Sequence, residues 1–168
     1  MSKIVIPCAS DGKNLELAGK LNKICAELGA KSEVCQLTKY NFPLYHTSEE
    51  TKNSIPTNVL ELTEKLEKAI AIILVAPEYN GLIPPVLNNA IAWVSRSKED
   101  WRGAFNGKVC ALATHSGSGG LHALTAMRQQ LAYLGANVIG RQIHTHFKKE
   151  LAEKSANAVI TQLLDLTD

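Results

Sequence analysis

The chain has 168 residues, 45 % of them apolar and 20 % charged, the balance of an ordinary soluble globular protein with enough length to bury a substantial core. Eighteen basic and sixteen acidic residues leave a net charge of +2, too small and too evenly spread for a nucleic-acid footprint or a polybasic membrane patch. No apolar run approaches a membrane span, and the first one, followed at once by Asp11, is too short for a secretory signal. The four cysteines (Cys8, Cys25, Cys35, Cys110) form no CxxC pair and no zinc spacing, which suits free thiols in a reducing cytoplasm.

In chain order, KIVIPCA (3–9) is an apolar, β-branched run and predicts a strand buried on both faces. Leu15, Ala18, Leu21, Cys25 and Leu28 then recur every three or four residues, predicting an amphipathic helix over 14–28 with Gly29 as its C-terminal cap. SEVCQL (32–37) alternates as a second strand, and 38–56 shows few regular patterns and reads as a loop. A helix is expected over 59–68, the most apolar strand over 69–76, and a helix over 85–96. A strand over 108–115 follows, then a helix over 121–134 with Leu124, Met127, Leu131 and Leu134 on one face. A strand over 137–146 and a helix over 150–164 close the chain. Near-continuous apolar strands alternating with helices predict one doubly wound α/β domain over 1–168, its parallel sheet covered on both faces.

Ligands of such sheets bind beyond the carboxyl ends of the strands, near the point where strand order reverses. Three small, polar or Gly-containing segments fall there: ASDGKN (9–14), PEYNGLIPP (77–85) and HSGSGG (115–120). Ser10, Gly12, Lys13 and Asn14 suit a phosphate at a helix N-terminus, with Asp11 opposing it and an ordinary capped turn as the alternative. Neither GxxxxGK[ST] nor a GxGxxG after the first strand is present, which argues against P-loop and dinucleotide sites. In the second segment Pro85 starts a helix rigidly, Gly81 permits an unusual backbone angle, and Tyr79 offers a flat aromatic surface. A loop of this kind presents backbone groups to the edge of a planar heterocycle.

These residues resemble the NADPH-dependent FMN reductase family of flavodoxin-like quinone, chromate and azo-dye reductases. The signature PEYNxxIPxxLKNAIDW is matched at Pro77-Glu78-Tyr79-Asn80-Gly81, Ile83-Pro84, Leu87, Asn89-Ala90-Ile91 and Trp93. Weaker similarity runs through FPLY (42–45) and 119–139, so the resemblance covers most of the chain. It implies a three-layer flavodoxin-like fold with a five-stranded parallel sheet of order 2-1-3-4-5, one FMN per subunit, and a homodimer or homotetramer. It also implies ping-pong hydride transfer from NAD(P)H through FMN to a small-molecule electron acceptor such as a quinone or free flavin. By position, Ser10, Gly12, Lys13 and Asn14 would hold the FMN phosphate. Pro77, Glu78, Tyr79, Asn80 and Gly81 would line the isoalloxazine edge, and Ser116, Gly117, Ser118 and Gly119 would flank its other side. The family's first loop, of the form GSxRxxSxN, is longer and carries an Arg that this chain lacks. A flavodoxin-type electron carrier and a flavin-free binding or regulatory relative are the alternatives.

No side chain is assigned as catalytic, since the flavin carries the redox chemistry. Glu78 reads as a positioning residue, with proton donation as its alternative; Tyr79 reads as a stacking or interface residue. His115 reads as structural, and His144-Thr145-His146 lacks the further ligands a metal needs. Trp93 and Trp101 read as packing or interface residues and Arg128 as a surface or intersubunit charge.

Overall fold

A computed structural model describes residues 3–167. Its strands are β1 (Ile4–Cys8), β2 (Ser32–Gln36), β3 (Ala71–Val75), β4 (Val109–His115) and β5 (Asn137–Thr145). Its helices are α1 (Lys13–Glu27), α2 (Thr47–Asn53), α3 (Thr57–Lys68), α4 (Pro85–Val94), α5 (Leu121–Tyr133) and α6 (Glu153–Asp165). The strands pair in parallel in the order β2-β1-β3-β4-β5, as the resemblance implies. Successive strand residues point to opposite faces, so Ile72 and Leu74 join Leu62, Leu87, Ile91, Leu124 and Met127 of α3, α4 and α5. Ala71, Ile73 and Val75 join Leu17, Leu21, Ile24, Val159 and Ile160 of α1 and α6 on the other face. Every residue of β3 is buried, which is why it reads as an unbroken apolar run.

Strand order reverses between β1 and β3. The chain leaves β1 for α1 on one face and leaves β3 for α4 on the other. The loops therefore part above the sheet and leave a crevice.

Two expectations are corrected. The stretch read as a loop over 38–56 contains a 3-10 turn at its start (Leu37–Lys39) and the helix α2. Thr47–Asn53 buries no residue, so no apolar period marks it. His46 caps it instead, its Nδ1 accepting from Glu49 N–H at 3.0 Å, with Glu49 and Glu50 in the first turn and Lys52 in the last. Arg128, expected as a surface or intersubunit charge, is half-buried and turns its guanidinium to the sheet of its own chain. The β4–β5 pairing shifts register between Cys110 and Leu112, and Arg128 Nη1 donates to the carbonyls of Val138 (3.2 Å) and Ile139 (3.0 Å) on the irregular stretch.

All four cysteines are buried and free. Burial pushes the Cys8 thiol up to about 11 and the Cys110 thiol up to about 12, so neither is a ready nucleophile at neutral pH.

Candidate functional site

The first wall of the crevice is the turn from β1 into α1. Ser10 Oγ accepts from Gly12 N–H at 3.1 Å, folding the loop onto itself. The backbone N–H groups of Lys13 and Asn14 find no acceptor among the described residues, as expected of a helix's first turn. A Cβ placed on Gly12 would meet only Ser10 Oγ, at 3.9 Å, so the space before the loop is open. Two side chains are engaged elsewhere. Lys13 Nζ pairs with Glu16 at 2.9 Å on the exposed side of α1. Asn14 is buried, its Nδ2 donating to His115 C=O at 2.8 Å and its Oδ1 accepting from His115 N–H at 2.7 Å. Asp11 is exposed.

The second wall follows β3. Tyr79 and Leu82 exchange both backbone hydrogen bonds, at 2.9 and 3.0 Å, around Asn80 (φ 51°) and Gly81 (φ 76°). Positive φ at both central positions is a type I′ turn, for which Asn-Gly is the preferred pair. Tyr79 and Leu82 stand about half exposed on it.

The third wall follows β4. Ser116 is buried, its N–H reaching Thr145 C=O at 3.1 Å and its C=O accepting from Gly119 N–H at 3.2 Å. Glu78 joins the second and third walls: its Oε1 accepts from Ser118 Oγ at 2.7 Å, and its Oε2 from the N–H groups of His122 (3.1 Å) and Ala123 (3.2 Å). These donors hold its carboxyl below the usual carboxylate range, the Ser118 hydroxyl most strongly. Glu78 is therefore the cap of α5, whose own N-cap is a glycine. This fits a positioning residue.

His115 Nδ1 lies 3.0 Å from Thr145 Oγ1, and that hydroxyl in turn donates to Thr114 C=O at 3.3 Å. The Phe147 ring packs edge-on against His115 with centroids 5.5 Å apart. His144 Nε2 accepts from Lys149 Nζ at 2.7 Å.

One site residue escapes the sequence reading. Gly120 has φ 72°, and a Cβ there would lie 2.5 Å from Thr114 Cγ2 and 3.0 Å from its Oγ1. Thr114 cannot turn away freely, because that Oγ1 donates to Ala76 C=O at 2.6 Å. The sequence signal is its place as the last residue of HSGSGG, against the start of α5. Gly120→Ala is expected to lower stability by about 2–4 kcal/mol, from left-handed backbone strain and overpacking together. Denaturant unfolding checks this, and a loss below about 1 kcal/mol would contradict the close packing.

The C-terminal half of the PEYN signature does not face the crevice. Trp93 is fully buried and its Nε1 donates to Pro43 C=O at 2.7 Å. Asn89 Nδ2 donates to the same carbonyl at 3.0 Å, and its Oδ1 accepts from Tyr45 N–H at 2.8 Å. FPLY and NNAIAW are thus two sides of one contact.

The profile described as NADPH-dependent FMN reductase matches residues 2–166. A quinone reductase of Escherichia coli (strain K12) is 32 % identical over 103 residues, which cover 60 % of this chain and 53 % of that protein, so the chain matches about half of that relative's length. An NADPH:quinone oxidoreductase of Arabidopsis thaliana is 26 % identical over 138 residues, 74 % of this chain and 69 % of its own. Among solved structures, FerB, a flavoenzyme NAD(P)H:(acceptor) oxidoreductase from Paracoccus denitrificans, shares the fold with a TM-score of 0.79 at 21 % identity, over 99 % of this chain and 97 % of its own. The matched profile spans nearly the whole chain, and so the chain belongs to the NADPH-dependent FMN reductase family, enzymes of flavodoxin-like fold with FMN as cofactor and NAD(P)H as co-substrate.

Proposed function

We propose that this chain is an FMN-dependent NAD(P)H oxidoreductase that works by ping-pong exchange and delivers electrons to quinones, free flavin or similar small acceptors. The observation that carries the reading is how the three walls are held. Asn14, Glu78 and Thr114 anchor the three loops, by bonds to His115, to α5 and to Ala76. The N–H groups of Lys13 and Asn14 keep no acceptor among the described residues, as a bound phosphate requires.

The residues present fit FMN. Ser10 and the N–H groups of Lys13 and Asn14 would hold the phosphate, with Gly12, its own N–H on Ser10, giving close approach, and Asn14 acting through its backbone because its amide is engaged. Lys13 can join only by leaving Glu16, an exposed pair worth little. Pro77, Glu78, Tyr79, Asn80 and Gly81 would line one edge of the ring, and Ser116, Gly117, Ser118 and Gly119 the other. FMN supplies hydride acceptance and donation when bound. The chain's own part is to bind and orient: the Tyr79–Leu82 turn offers a half-exposed apolar lip for a planar acceptor.

The same reading takes residues 1–168 as one domain working in the cytoplasm. It also takes the protein as a homodimer or homotetramer. Trp101 and Tyr133 are exposed side by side, with ring centroids 6.1 Å apart and the Arg102 guanidinium against both, 4.4 and 5.4 Å from the ring centres. A second copy would cover such a patch.

Purified protein is expected to show bound-flavin absorbance, or to take up added FMN, and to oxidise NADPH or NADH when a quinone is present. Protein that stays colourless and binds no added FMN would sink the reading. Flavin that binds but is not reduced directly by NAD(P)H would indicate an electron carrier instead.

A further inference from the structure

We propose that Glu78 is a charged latch: a positioning residue that locks two walls of the crevice together and holds the bound flavin at a lower reduction potential. The inference rests on the FMN reading above and concerns what this carboxylate does within it.

The geometry is specific. One oxygen takes the Ser118 hydroxyl on the third wall, and the other takes the second and third N–H groups of α5. Those are the donors a Ser, Thr, Asp or Asn at the N-cap ordinarily satisfies. Here the N-cap is Gly120, and the acceptor arrives from a loop more than forty positions upstream. Cap and latch are thus one interaction: the turn holding Tyr79 to Leu82 cannot move away from Ser118 without uncapping α5.

The charge follows from the same contacts. The N-terminal end of α5 carries a partial positive charge that would favour electron density arriving nearby. Glu78 neutralises that end and adds a fixed negative charge between the two loops assigned to the flavin ring. Both effects oppose charge added to the ring on reduction. A flavin held this way is a stronger electron donor once reduced.

Two variants separate charge from geometry. Glu78→Gln keeps an acceptor for Ser118 or α5 and loses the charge. Glu78→Asp keeps the charge and is too short to reach both partners. The measurements, on FMN-loaded protein, are affinities for oxidised FMN by titration and the potential of the bound flavin by equilibration with reference dyes.

In Glu78→Gln the potential is expected to rise, with the preference for reduced over oxidised FMN increasing about tenfold, the order of one unit charge near a protein surface. In Glu78→Asp that preference stays within about twofold of the parent while both affinities fall. A potential unmoved in Glu78→Gln, with the parent binding FMN normally, overturns the charge effect. Unchanged affinities in Glu78→Asp overturn the latch. A parent protein that takes up no FMN overturns the flavin reading first, and this inference with it.

Discussion

Trp93→Ala is expected to destabilise the fold by about 3–5 kcal/mol, the usual cost of emptying a large aromatic site in a close-packed core. Trp93 has no exposed surface, and its ring meets Tyr45 edge-on with centroids 5.1 Å apart. Removing it takes away the packing and one of the two donors at Pro43 C=O, the other being Asn89. The loss should spread along the loop. Tyr45 OH donates to Glu50, and Arg96 Nε and Nη2 reach the same carboxylate at 3.1 Å, so α2 is tied to α4 through the segment that Trp93 holds down. Chemical denaturation measures the global loss, and limited proteolysis should find new cleavage between Tyr40 and Asn53. Trp93→Phe restores most of the volume without the indole N–H. Because Asn89 still serves Pro43, this variant should lose only about 1–2 kcal/mol. Equal losses in the two variants would show that the hydrogen bond, not the packing, dominates.

That contact also shows what a sequence can reveal. β3 was legible because burial on both faces demands an unbroken apolar run, and α4 because Pro85 sets its start and Leu87, Ala90, Ile91 and Val94 repeat at helical spacing. α2 was not, because a helix that buries nothing carries no period. At Asn80-Gly81 the sequence reading takes only the freedom of Gly81; the type I′ turn, with its hydrogen-bonded flanks Tyr79 and Leu82, comes from the structure. The loops bounding the crevice follow from topology. What fastens them does not: Glu78 finds α5, and Asn14 finds His115, across long separations that no local pattern encodes. Asn14, read first as a phosphate donor, spends its side chain fastening α1 to β4.

Asn14→Ala is accordingly expected to cost about 2–6 kcal/mol. It would strip the partner from both the N–H and the C=O of His115, at about 1–3 kcal/mol for each buried group left unmatched. Water is a poor substitute, because the amide is 3 % exposed. Asn14→Asp makes a finer test, since an ionised carboxylate can still accept from His115 N–H but sets its other oxygen against His115 C=O. Only the protonated acid reproduces the amide's pattern of one donor and one acceptor. Folding therefore favours the protonated form, and the folded-state pKa is raised above the unfolded value of about 3.9. With the pKa raised, the variant's contribution to stability is fully present below the unfolded value and is lost as pH rises through the folded one. The Asn14→Asp deficit relative to the parent should thus shrink as pH falls from 7 toward 4, while the Asn14→Ala deficit stays level. Unfolding curves at a series of pH values decide it. A deficit for Asn14→Asp that is flat with pH would mean that His115 C=O does not need this donor, and that α1 and β4 are joined by packing alone.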